Sequence, residues 1–136
     1  MIYFDTGAFI ALWVAKDGRH DAARVVLQSV RDERIRLFTS NFVLDEAVTH
    51  AGRLAGSRFA AERLRNILDS KTLTVLRPDE RDERGALALY EKYADQKVSF
   101  TDAVSFALMR RNGIKRAFAF DRHFELAGFE LWPGPK

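Results

Sequence analysis

Four acidic residues carry the most chemical promise in this 136-residue chain. Asp5 closes the apolar run Met1-Ile2-Tyr3-Phe4, and Asp121 closes Ala117-Phe118-Ala119-Phe120. Glu46 and Asp102 each lie shortly after a polar, helix-starting stretch, Ser40-Asn41 and Ser99-Phe100-Thr101. Carboxylates gathered in one place repel one another and resist ionisation. A hard divalent cation offsets that repulsion, and Mg2+ or Mn2+ takes oxygen donors without needing Cys or His. An ion held in this way activates water and stabilises charge on a phosphodiester. Hydrolysis of such a bond is the chemistry this set of residues suits.

Each acid also has a plainer reading. Asp5 suits a cap for the helix after it. Asp102 stands three residues after Ser99, the spacing of a capping box. Asp121, before Arg122-His123, suits the start of a short helix. Glu46 competes with its neighbour Asp45, and helical periodicity places both on the polar side without choosing.

The elements that must position these acids follow from the apolar patterning. Short strand-like runs fall at 1–5, 35–39, 72–76, 117–120 and 129–132, the last closed by Pro133-Gly134-Pro135. Helical patterns fall between them at 6–14, 20–32, 41–55, 57–70, from the charged segment 79–83 onward, at 101–112 and around 123–126. Ala22, Ala23, Val26 and Val30 form the expected stripe of the second helix. Leu44, Ala47, Val48, Ala51 and Ala55 form that of the third, and Leu87, Tyr90, Tyr93 and Ala94 that of the fifth. Ser57 suits the cap of the fourth. The helix after Thr101 is apolar almost all round, which predicts burial. Strands alternating with helices predict an α/β fold with a largely parallel sheet of about five strands and helices on both faces. In such sheets the carboxyl ends of strands and the starts of the following helices share one edge, so all four acids are expected there.

Taken together, these stretches resemble the PIN-domain ribonucleases, and most closely the VapC-type toxins of prokaryotic toxin–antitoxin pairs. The resemblance rests on Tyr3-Phe4-Asp5-Thr6, Thr39 to Glu46, Ser99 to Phe106 and Phe118 to Phe124, in the family's order and spacing. It implies a PIN-like αβα sandwich. It implies that Asp5, Glu46, Asp102 and Asp121 hold Mg2+ or Mn2+, selecting Glu46 over Asp45, with Thr6 and Thr101 as supporting polar groups. It also implies an endoribonuclease active on RNA, a homodimer, and a VapB-type antitoxin that inserts a peptide near the site.

Composition bounds the alternatives. The length predicts a single domain, 1–136. The absence of cysteine excludes disulfides and thiolate metal sites and fits a cytoplasmic location. No secretory leader or membrane span is expected. The formal charge of +3 is mild, but it understates the basic surface left once four acids are drawn into one site. Arg53 and Arg58, with Arg63 and Arg65, form one basic stretch; Arg110 and Arg111, with Lys115 and Arg116, form another. Phosphate contact is their functional reading and a solvated helix face their ordinary one. His123 is expected to pack or hydrogen-bond beside Asp121 rather than to act in catalysis. A phosphoryl-transfer site of the haloacid-dehalogenase kind needs an Asp where Gly7 stands, and no phosphate-binding glycine loop is present. The remaining rivals are a nuclease of RNA processing that has no antitoxin and a non-catalytic binding module.

Overall fold

The computed structural model describes residues 1–132; the expected closing segment Pro133-Gly134-Pro135 lies outside them. The strands are β1 (Ile2–Phe4), β2 (Leu37–Ser40), β3 (Leu73–Leu76), β4 (Arg116–Phe118) and β5 (Glu130–Trp132). The helices are α1 (Thr6–Trp13), α2 (His20–Asp32), α3 (Asn41–Ala55), α4 (Ser57–Leu68), α5 (Glu80–Lys92), α6 (Phe100–Arg111) and α7 (His123–Leu126). All strand pairings are parallel, in the order β3-β2-β1-β4-β5. From β1 the chain steps outward through β2 to β3, then crosses back to β4 on the other side of β1. Right-handed crossovers therefore place α1–α4 on one face and α5–α7 on the other. The reversal makes the gap between β1 and β4 a topological switch point, where side chains past the strand ends face an open crevice.

Central strands are apolar because both faces are covered. Ile2, Tyr3 and Phe4 are all buried, as are Ala117 and Phe118 beside them. Aromatic edges lock the layers together. Phe4 meets Phe118 edge-on at 5.0 Å, and Phe106 of α6 meets Phe124 of α7 at 5.1 Å. As the apolar run predicts, α6 is buried from Asp102 to Met109 except for part of Ala107. No helix among the described residues is long and apolar enough to cross a membrane.

Three details depart from the patterning. The buried face of α5 is Ala86, Leu89 and Tyr93, while Leu87 and Tyr90 are 49% and 45% exposed and Ala94 is exposed. Both sets have helical spacing; the small residues Gly85 and Ala86 let α6 approach closely, and that approach decides between them. Ala22 and Ala55 are likewise exposed. Ser57 does not cap α4. Gly56 takes that position at φ +96°, a left-handed conformation that turns the chain in one residue between α3 and α4.

The packing of α5 on α6 is secured by an ion pair. Arg111 donates from Nε and Nη2 to the two oxygens of Asp82, at 2.7 and 2.8 Å. Asp82 also accepts from the Asp79 N–H in a capping box. Burial opposes its charge, but the Arg111 guanidinium and the Asp79 N–H outweigh burial and hold its carboxyl below the ordinary value. A depressed carboxyl stabilises the fold above its unfolded pKa, and the benefit is lost as pH falls through the folded pKa. Arg111→Met is expected to cost about 1–2 kcal/mol at neutral pH, the low end because the arginine is half exposed. Chemical denaturation across the acid range should show that difference shrinking as pH drops below the unfolded aspartate value; a constant difference would show that the pair does not set it.

Candidate metal centre

Asp5 is placed by backbone, not by its own side chain. Its N–H donates to the Phe118 carbonyl of β4 at 3.1 Å, and the Thr39 hydroxyl of β2 donates to the Phe4 carbonyl at 2.9 Å. Asp5 is the N-cap residue of α1, yet its carboxylate makes no capping hydrogen bond. The side chain is thereby left free at the switch point, only 6% exposed.

Asp102 serves two purposes at once. In the capping box of α6, Ser99 Oγ accepts from the Asp102 N–H, and Asp102 Oδ2 accepts weakly from the Ser99 N–H at 3.4 Å. The same oxygen lies 3.2 Å from His123 Nδ1. Asp121 Oδ1 accepts from the His123 N–H at 2.7 Å and lies 3.0 Å from its Nδ1. Asp102, Asp121 and His123 can each offer a ligand atom within 4.8 Å of the others. A groove of about 430 Å³ is lined by these three with Asp5, Thr6, Glu46, Arg19, Lys97 and Phe120 among others.

The four acids thus share one groove, and Glu46 lines it where Asp45 does not. Thr6 also lines it, its hydroxyl buried without a hydrogen-bond partner, whereas Thr101 is not among the lining residues. His123 hydrogen-bonds beside Asp121 as its sequence context suggested, and its Nδ1 also reaches Asp102. Arg19 and Lys97 carried no signal in the sequence, because loops distant in the chain bring them here. Arg53, Arg58, Arg110 and Arg111 are not among the residues lining the groove. Arg110 and Arg111 are at the far end of α6, roughly 12 Å along the helix from Asp102. Arg110 donates to the Ala127 carbonyl, and Arg111 holds Asp82. Arg53 and Arg58 flank the α3–α4 turn, with Arg53 roughly 10 Å along α3 from Glu46.

Electrostatics match a cation site. Burial, then Asp102, raise the Asp5 carboxyl to about 8; the Thr6 N–H opposes the rise, and Glu46 and Asp121 add to it. Burial, then Asp121, also raise Asp102, while His123 and the Ser99 N–H pull it down. A groove of oxygen donors, two of which, Asp5 and Asp102, resist ionisation, with an unpartnered hydroxyl beside them, fits a hydrated divalent ion. A larger cavity of about 810 Å³ lies between α1, α2 and α4, but it holds no acid and cannot perform this chemistry.

A five-stranded parallel sheet with an acidic groove at its switch point defines the PIN-domain class, and the chain belongs to that family: the PIN domain pattern matches residues 2–130. The chain is 37% identical over 129 residues to VapC20 of Mycobacterium tuberculosis, a 23S rRNA-specific endonuclease, covering 95% of each. The crystal structure of VapC20, a sarcin–ricin loop cleaving toxin, matches with a TM-score of 0.88 at 35% identity, over 95% of this chain and 96% of that one. A VapC ribonuclease of Archaeoglobus fulgidus is 30% identical over 133 residues, 94% of this chain and 83% of its own. A toxin–antitoxin complex from Klebsiella pneumoniae shares the fold, with a TM-score of 0.63 at 16% identity over 90% and 88% of the two chains.

A raised Asp5 carboxyl favours the folded state below its unfolded value, and that advantage drains away as pH rises through about 8. Metal-free wild-type protein should therefore lose thermal stability from about pH 4 to about pH 8. Asp5→Asn should flatten that decline and melt higher than the wild type at pH 8. Equal pH slopes in differential scanning calorimetry would remove the electrostatic account of the site.

Proposed function

We propose that this single-domain chain is a divalent-metal-dependent endoribonuclease of toxin type, cytoplasmic, active on structured RNA and restrained by a separate antitoxin. The observation that carries the reading is the convergence of Asp5, Glu46, Asp102 and Asp121 on one groove at the switch point. The activities of the two VapC relatives support it, and the target of VapC20 makes a ribosomal RNA stem-loop the first substrate to try.

Asp5, Glu46, Asp102 and Asp121 would hold Mg2+ or Mn2+, with the Thr6 hydroxyl beside them. The chemistry such an ion supplies is activation of water and stabilisation of the charge that develops on phosphate. The chain supplies the frame. Strand backbone holds Asp5, Ser99 holds Asp102, and the His123 N–H holds Asp121. With its proton on Nδ1, His123 donates between the Asp102 and Asp121 carboxylates and keeps both aimed into the groove. Preformed carboxylates need no reorganisation at the moment of reaction.

The partner proposals rest on two surfaces. The 810 Å³ groove has apolar walls, including Trp13, Leu27 and Ile67, and a rim that includes Arg24, Arg31 and Arg63. That combination suits an apolar antitoxin segment carrying acidic residues. For the homodimer, Tyr90 and Leu87 are exposed on α5, and the Tyr90 ring continues through Phe100 to Phe42.

Asp102→Asn and Asp5→Asn should each lower Mn2+-dependent cleavage of a ribosomal stem-loop RNA by at least about a hundredfold. Full activity in either variant would sink the nuclease reading, and absence of Mn2+ binding by calorimetry would favour the non-catalytic binding module instead. Tyr90→Glu should convert the dimer to monomer in light scattering, and an unchanged mass would move the interface elsewhere.

A further inference from the structure

The groove presents RNA with an electrostatic difficulty. A polyanion must approach four carboxylates, so cations at the rim are needed to hold the strand in place. The basic stretches of α3–α4 and of the α6 end do not line it. Among the lining residues, the cationic side chains are Arg19 and Lys97, with His123 already engaged by Asp102 and Asp121. Resting on the nuclease reading, we propose that Arg19 and Lys97 form a two-point clamp that grips the RNA backbone phosphates on either side of the acids.

Their placement supports this in three ways. Arg19 comes from the α1–α2 connection and Lys97 from the α5–α6 connection. Those helix pairs cover opposite faces of the sheet, so the two cations reach the groove from opposite sides. Secondly, the Arg19 guanidinium lies over the Phe120 ring, 4.5 Å from its centroid. Phe120 immediately precedes Asp121. A guanidinium stacked on an aromatic ring keeps its edge N–H groups for bidentate phosphate contact. Its carboxylate contact is the loose 3.5 Å approach to Asp17, and among the described residues neither cation is ion-paired with a groove acid. Finally, Lys97 has φ +58°. Glycine occupies that left-handed conformation with less strain, so a lysine there costs stability that its exposed side chain does not recover by packing. The lysine is thus carried to the groove on backbone that glycine would fit better.

The left-handed backbone provides a clean test. Lys97→Gly removes the charge and relaxes the backbone, so it should melt at or above the wild-type temperature. Arg19→Gln removes the second charge, and Lys97→Arg keeps the first. Cleavage of a labelled ribosomal stem-loop RNA with Mn2+ would be measured from about 50 to about 200 mM KCl. Lys97→Gly and Arg19→Gln should each raise KM by about tenfold with kcat little changed. The slope of log KM against log salt should fall by about 0.7–0.9 for each charge removed. Lys97→Arg should retain the wild-type slope, and Mn2+ affinity by calorimetry should not fall in any variant. Wild-type KM and slope in both charge-removing variants would overturn the clamp and leave the nuclease reading intact. A parallel loss of Mn2+ affinity would also overturn it, because the residues would then act on the ion site. If the wild type cleaves no RNA, the nuclease reading falls and binding of the same RNA by fluorescence anisotropy decides the clamp. Weaker, less salt-dependent binding by the variants upholds it, and equal binding overturns it.

Discussion

Asp5 is buried beside Asp102, Glu46 and Asp121, and its carboxyl is pushed up to about 8 as a result. A group in that position is tolerated only where the surrounding backbone leaves it no alternative. Here the flanking strands do so, through the Asp5 N–H on β4 and the Thr39 hydroxyl on the β1 carbonyl. The sheet's interior position for β1 is what makes both bonds available. An edge strand has a neighbour on one side only and would leave one of them unmade.

The remaining architecture follows from presenting other acids to that fixed one. Asp102 reaches it because α6 is buried deeply enough for its first turn to sit at the crevice, and its capping box prevents that turn from fraying. The buried Tyr3 hydroxyl meets Ser105 Oγ at 2.7 Å, one turn beyond Asp102, and so ties α6 to β1. Burial is the largest influence on the Tyr3 phenol and raises its pKa. At the far end, the Arg111–Asp82 pair holds α6 against α5. The helix that carries Asp102 is thus secured at its start, middle and end.

Asp102 also shows why a structural and a functional reading of one residue need not compete. Its backbone N–H and one oxygen complete the cap, and the same oxygen reaches His123. Asp5 resolves differently. It stands at the cap position, but its side chain makes no cap bond. Both stand where a carboxylate can take part in a cap, Asp5 at the N-cap and Asp102 at the third residue of its helix, and only Asp102 does so.

The strands and helices were legible in the chain because apolar periodicity and caps are local properties, and the bounds of α3 fall where its pattern put them, at Asn41–Ala55. The acids were legible too, since each stands at a strand end or a helix start, and a parallel sheet collects those ends on one edge. What only the tertiary structure decided depends on which surfaces meet. Strand order put Asp5 beside Asp121. The close approach of α6 chose Ala86 and Leu89 over Leu87 and Tyr90 as the buried face of α5. The α7 turn folded His123 onto Asp102 and Asp121, and two unrelated loops carried Arg19 and Lys97 to the rim. Those are contacts between residues tens of positions apart, and no local propensity encodes them; they follow from how the layers pack.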